Sequence, residues 1–184
     1  FSSTLTELKT HRVAVDAAGN IFIGGGKRGS VNFGGGSLAT NAGAGIYDAF
    51  VAKFDANGNH LWSKSFGDGN EQWVSDLVVD AAGNVVITGS FLGSINFGGG
   101  SMTSLGGTEF GGDVFLAKLS GSNGAQLFAA RYGDASQQEP KSLTLDPSGN
   151  VIVCGLFRGS INFGGGALAT AGTNDIFVTK MTLP

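Results

Sequence analysis

The chain has 184 residues, enough for one sizeable core or for part of a larger repeat array. Its 33 glycines against 3 prolines exclude a proline-rich linker and collagen's strict triplet, and suit many short strands joined by glycine turns. A formal net charge of −3 without any basic run argues against binding nucleic acid by phosphate neutralisation, and the apolar runs are far too short to cross a bilayer as helices.

Cys154 is the sole cysteine, so no internal disulfide forms and the redox compartment is unreadable. It falls inside an apolar run and reads as a small core residue. No signal peptide is visible; the opening residue is Phe1 rather than methionine, which leaves room for a leader removed earlier.

Internal repetition organises everything else. Asn20, Asn84 and Asn150 begin blocks that align without gaps as far as Phe33, Phe97 and Phe163, at spacings of 64 and 66 residues. Each unit reads as four strands. The first is expected at 12–15, 76–79 and 142–145, and ends in a D-x-x-G-N turn: Asp16 with Gly19, Asp80 with Gly83, Asp146 with Gly149. Aspartate opens such a turn by accepting backbone N–H bonds, and glycine takes the positive φ that closes it. The second strand follows at once as a continuous β-branched run, such as Val85-Val86-Ile87, which suits burial on both faces. Gly25, Gly89 and Gly155 then mark a close backbone approach.

The third strand carries D-x-F-x-x-K, from Asp48, Asp113 and Asp175 to Lys53, Lys118 and Lys180. The fourth, at 61–66 and 127–132, alternates apolar with polar residues and reads as a half-exposed outer strand. Between second and third strands, Asn32-Phe33-Gly34-Gly35-Gly36 and its two copies predict a short extra hairpin with one phenylalanine plugging the core. No segment has sustained helical periodicity.

Four antiparallel strands repeated at fixed period is the layout of a β-propeller blade. The D-x-x-G-N turn, the N-F-G-G-G phrase, D-x-F-x-x-K and the aromatic W-x-x-x-F-G strand together resemble the bacterial β-propeller repeat called SBBP, over essentially the whole chain. The resemblance implies a propeller within a large exported or cell-surface bacterial protein, usually without assigned chemistry. Two departures stand out. Lys27 replaces Phe91 and Phe157, removing an apolar contact from the first unit. Trp73 falls in the connection after a fourth strand, where Lys9 and Glu139 are its counterparts.

The expectation is therefore an all-β propeller sector, one region spanning 1–184. It holds about three four-stranded antiparallel blades, at approximately 12–68, 76–134 and 142–184, each with a short glycine-rich insertion. The outer edges are truncated, because Phe1 aligns with Phe66 and Tyr132 and the chain stops just beyond a third strand. Propellers close with roughly four to eight blades. Further blades are expected from a longer chain, the favoured source, or from a second copy.

Repetition also sorts the candidate residues. Asp16, Asp80 and Asp146 could ligate a cation, but each loop offers one carboxylate where a calcium loop needs several, so the turn reading is stronger. Asp48, Asp113 and Asp175 recur in every unit, which argues for structure rather than catalysis. Gly24-Gly25-Gly26-Lys27-Arg28-Gly29-Ser30 lacks the ending of a phosphate loop and no helix follows. His11 and His60 occupy unrelated places, so no Ser-His-Asp or Cys-His device is expected. Glu71, Asp76 and Glu139 stand in non-repeated text and keep a hydrolase or lyase completed by further blades as an alternative.

The binding candidates are the places where units differ: Asn70, Glu71, Gln72 and Trp73 after one fourth strand, and Gln137, Gln138 and Glu139 after the next. Loops on a rigid scaffold carry binding disproportionately, and an aromatic ring among amides suits a sugar or a protein. The sequence thus reads as a non-catalytic structural or interaction module outside the cytoplasm, with a lectin-like module as the nearest alternative. Neither cofactor, metal nor nucleic acid is expected.

Overall fold

The computed structural model describes residues 2–3, 7–40, 45–106 and 112–184, with the backbone alone at 2, 3, 10 and 11. Every regular element among them is a β-strand. The first unit runs β1 (Ser2–Ser3), β2 (Glu7–Val15), β3 (Ile21–Arg28), β4 (Val31–Asn32), β5 (Ser37–Leu38), β6 (Asp48–Phe54) and β7 (His60–Phe66). The second runs β8 (Gln72–Val79), β9 (Val85–Phe91), β10 (Ser94–Asn96), β11 (Ser101–Thr103), β12 (Asp113–Leu119) and β13 (Gln126–Tyr132). The third runs β14 (Gln138–Leu145), β15 (Val151–Phe157), β16 (Ser160–Asn162), β17 (Ala167–Ala169) and β18 (Asp175–Met181).

All the pairing is antiparallel. Two sheets have four strands in sequence order, β2-β3-β6-β7 and β8-β9-β12-β13; the third is β14-β15-β18. The hairpins β4–β5, β10–β11 and β16–β17 form between second and third strands, and β1 adds to the first of them. The expected alignment of Phe1 with Phe66 lies outside the described residues.

The turns behave as their residues require. Asp16 Oδ1 accepts the N–H groups of Ala18 and Asn20, each at 2.9 Å, while Gly19 takes φ +83°. Asp80 and Asp146 repeat this with Gly83 and Gly149, and Asp55 with Gly58 does the same between β6 and β7. The lysine of each third strand returns to the aspartate of its own turn: Lys53 to Asp16 at 3.5 Å, Lys118 to Asp80 at 3.2 Å, and Lys180 to Asp146. Side-chain bonds from Asn150 and Lys180 hold the Asp146 carboxyl well below the usual carboxylate range. The aspartate opening each third strand ties down the loop that enters it. Asp48 Oδ2 accepts from the Thr40 hydroxyl (2.9 Å), Asp113 Oδ2 from the Leu105 N–H (2.9 Å), and Asp175 Oδ2 from the Ala171 N–H (2.7 Å).

The insertion is the predicted plug. Asn96 Oδ1 accepts the Gly98 and Gly100 N–H groups, so the hairpin reverses tightly and delivers Phe97 inward. Phe97 packs on Phe115 of its own sheet at 5.2 Å and on Phe66 of the preceding one at 4.7 Å, between ring centroids. Phe163 repeats this with Phe177 (5.0 Å) and Tyr132 (4.8 Å). At Gly89 a β-carbon would collide with the Phe115 ring and the Trp73 carbonyl, which is the close approach that position implied.

The sheets pack face to face in sequence: β8 lies against β2, β3 and β6, and β14 against β8, β9 and β12. One core joins Phe22, Ala49, Val51 and Phe66 of the first sheet to Val74, Leu77, Ile87 and Phe115 of the second. A second joins Val114 and Leu116 to Leu143, Val153 and Phe177.

Two expectations need correction. The first strand of each unit starts earlier than predicted, at Gln72 rather than Asp76 and at Gln138 rather than Ser142. A bulge between Val74 and Asp76, matched between Pro140 and Ser142, puts Val74 and Leu77 in one core at a spacing of three. That breaks the two-residue period a strand is recognised by. Lys27, expected only to lose an apolar contact, is fully buried and carries a different device. Its ammonium donates to Asp48 Oδ2 at 3.2 Å and to the Ala39 carbonyl at 2.8 Å. In the second unit Phe91 fills that place and Asp113 takes its cation from Arg131, whose first-unit equivalent is Ser65. Burial pulls the Lys27 pKa down and Asp48 opposes the shift.

Removing one partner of a buried pair costs roughly 3–5 kcal/mol. Lys27→Phe is therefore expected to lower unfolding stability by about that much in urea titration, and adding Ser65→Arg to recover most of it. A double variant no more stable than the single one contradicts the exchange.

Candidate functional site

The connections that hold the binding candidates join one sheet to the next, and their recurring residues are spent on the join. Asp68 Oδ2 accepts from the Ser94 N–H at 2.7 Å, and Oδ1 from the Asn70 N–H at 2.8 Å and from Gln72 Nε2 at 2.7 Å. Gln72 Nε2 also reaches the Leu92 carbonyl, and its backbone N–H bonds the Tyr47 carbonyl, both at 2.9 Å. Asp134, Ser160, Gln138 and the Arg158 carbonyl repeat the arrangement. Burial pushes the Asp68 carboxyl up, but the donors from Ser94, Asn70 and Gln72 outweigh it and hold the group below the usual range.

Gln72 and Gln138 are therefore not rim groups facing solvent: both are fully buried inside strands. The signal was present, since Asp68 with Gln72 and Asp134 with Gln138 keep one spacing in two units and so are a repeated feature. Asn70 turns its amide onto Asp68 at 3.1 Å, and Gln137 serves through its carbonyl, which accepts the Arg158 N–H. Trp73, expected in a loop, lies in β8 paired with Ser90, half-buried.

What remains open is a rim where β2, β8 and β14 begin. Lys9, Trp73 and Glu139 occupy one column there, and Glu7, Glu71 and Gln137 the column two residues earlier. On the first two units these side chains converge with two groups the sequence did not single out, Arg28 and Tyr47. The Arg28 guanidinium carbon stands 4.0 Å from the Tyr47 ring centroid, and the Lys9 ammonium 4.8 Å. Glu7 pairs with Arg28 at 3.2 Å and with Lys9 at 3.3 Å; Glu71 lies 4.0 Å from Arg28 and accepts the Tyr47 N–H at 3.4 Å. The β-carbon of Trp73 sits against Gly26, where a side chain would crowd both it and Tyr47. Nothing in sequence marks the pair: Tyr47 does not recur in the other units, and Arg28 shares its column with Leu92 and Arg158 without any sign of the ring it meets.

The acidic residues weighed for catalysis are not brought together. Asp76 is buried between sheets, accepting from Arg12 Nε at 3.0 Å and from the Leu143 N–H at 2.7 Å, so it ties all three first strands. Glu139 pairs with Lys141, and Glu71 faces Arg28. His60 stacks edge-on to Phe54 and bonds Ser63 at 3.0 Å. Among the described residues no group of three or more His, Cys, Asp or Glu side chains is placed to hold a metal ion, and no helix is long and apolar enough to cross a membrane.

The join makes a prediction with a sign. A carboxylate held below its unfolded pKa, about 3.9 for Asp, stabilises the fold above that pH, and the contribution disappears as pH falls through the folded value. Asp68→Asn is expected to lower stability by roughly 1.5–3 kcal/mol near neutrality, as for a lost charge-assisted bond. It should also flatten the acid limb of the stability profile below about pH 4. An unchanged acid limb in denaturant titrations run from pH 5 to pH 2 contradicts the assignment.

No protein-family model matches the chain, and no curated protein is detectably similar to it.

Proposed function

We propose that this chain is a sector of an SBBP-type β-propeller in an exported or cell-surface bacterial protein, acting as a non-catalytic scaffold whose rim binds a protein ligand. One observation carries the reading. The side chains that recur in each unit are consumed in fastening strand to strand and sheet to sheet, whereas Lys9, Trp73 and Glu139 differ in type within one column at a shared rim. A scaffold with a variable rim divides its residues in this way. The rim between first and second units alternates charge around aromatic rings, which fits a polypeptide carrying both signs. The Tyr47 ring is flanked by Arg28 and Lys9, which leaves Trp73, among the described residues of this rim, as the ring for a lectin-like partner to stack on.

The test is a binding screen against displayed peptides and against an oligosaccharide array, repeated with Trp73→Ala and Arg28→Ala. The expected result is peptide binding that weakens with salt and falls at least tenfold in both variants while folding is kept. Oligosaccharide binding lost only in Trp73→Ala supports the lectin reading instead. Turnover of a substrate, abolished by changing Glu71 or Glu139, contradicts the scaffold.

A further inference from the structure

In the seam between the second and third sheets two buried oxygens come together without a donor. Asp113 and Gln138 are both fully buried, and among the described residues neither Asp113 Oδ1 nor Gln138 Oε1 has a hydrogen-bond partner. Both atoms stand against one face of Gly133, where a β-carbon would collide with each of them. Buried acceptors are costly when left unmatched, and two of them side by side also repel.

Turning the amide over does not relieve this. Gln138 Nε2 donates to Asp134 Oδ1 at 2.8 Å and to the Arg158 carbonyl at 3.2 Å, so a reversed amide would set its oxygen against two acceptors. The second carboxyl oxygen is already matched: Asp113 Oδ2 accepts the Leu105 N–H at 2.9 Å and the Arg131 guanidinium.

The first unit builds the same corner and completes it differently. Asp48 Oδ1 and Gln72 Oε1 meet at Gly67 in the same way, but there the Asp68 N–H donates to Gln72 Oε1 at 3.3 Å. Lys27, as fully buried as Asp48 itself, holds that carboxylate from 3.2 Å. In the second unit β9 presents Phe91 instead, paired with Asp113, and β14 presents the neutral Gln138. Ser104 and Leu105 of the preceding loop add no charge. Among the described residues the charges facing Asp113 are Arg131 on β13 and Asp134 just after it. The Arg131 side chain is 27% exposed, so water screens it as it cannot screen Lys27.

We propose that Asp113 carries a proton on Oδ1 and donates it to Gln138 Oε1, fastening the second seam in the acid form and loosening it when the carboxyl ionises. Every polar atom of the pair is then matched, and Oδ2 keeps both its donors. A metal cation fits less well, because Arg131 already charges the far side of the carboxyl and Gly133 closes the near one. Burial, with Asp134 adding to it, pushes the Asp113 carboxyl above the usual range against the donors from Leu105 and Arg131. A carboxyl raised above its unfolded pKa, about 3.9 for Asp, favours the fold while protonated. That contribution is lost as pH rises from there through the folded value, the opposite window to that of Asp68.

The experiment is a carbon-13 NMR titration of the side-chain carboxyls in the whole chain. The Asp113 signal is assigned by through-bond correlation to its own backbone, so no variant is needed to read it. The expected result is an Asp113 carboxyl still protonated at about pH 5, where ordinary aspartates have ionised, with the Gln138 side-chain amide shifting at the same midpoint. Asp113→Asn supplies the second readout, since its Nδ2 can donate to Gln138 Oε1 at every pH. In denaturant titrations the wild type should lose stability relative to Asp113→Asn as pH rises through the midpoint. An Asp113 carboxyl already ionised at about pH 5 overturns the proposal, because water or a metal ion would then be bridging the two oxygens. A midpoint that moves with calcium or sodium concentration at fixed ionic strength overturns it as well. A raised midpoint that the Gln138 amide does not register overturns the donation to Gln138.

Discussion

Each sheet has two apolar faces and can hide one only by laying it on a neighbour. The rest of the structure follows from that constraint. Phe97 shows how it is met: a hairpin projecting from the second sheet carries one ring into the seam, between Phe66 of the first sheet and Phe115 of its own. Phe163 does the same one unit later, between Tyr132 and Phe177. Burying a side chain of this size contributes roughly 1.5–3 kcal/mol, so a seam of several outweighs any single polar contact beside it.

Burial alone does not choose a register, and the polar groups supply the choice. Asp68 and Gln72 sit at the foot of one seam and bind backbone on both sides of it; Asp134 and Gln138 repeat this at the next. A slip of one residue would leave these buried acceptors and donors unmatched, each costing about 1–3 kcal/mol. Asp76 links three units through Arg12 and the Leu143 N–H, close to where the first strands run together. The fastening is nearest-neighbour in kind, as in other repeat architectures, where stability is a sum of unit and seam terms.

Much of this was legible because the chain repeats itself. The D-x-x-G-N turns, the buried second strands, the D-x-F-x-x-K strands and the phenylalanine plug are read directly from aligned columns. The failures share a cause, which is departure from a period. The bulge before Asp76 disguised the start of β8, and that misplaced Trp73 in a loop. Gln72 and Gln138 read as variable rim groups although they share a column, because the surrounding letters differ. Lys27 looked like a lost apolar contact; only three dimensions reveal that it does for Asp48 what Arg131 does for Asp113 from another strand. Arg28 and Tyr47 belong to a rim assembled from separate elements, and no linear pattern announces such a meeting.

If face coverage governs stability, the second and third sheets provide a matched comparison. β9 and β15 are both central strands, hydrogen-bonded on both edges, but among the described residues β9 has sheets against both of its faces and β15 against one. Native-state hydrogen exchange on the protein as a single chain compares them directly. The account predicts that the amides of β9 open only with global unfolding, while those of β15 open at lower free energy. Equal protection of β9 and β15 under those conditions would contradict it.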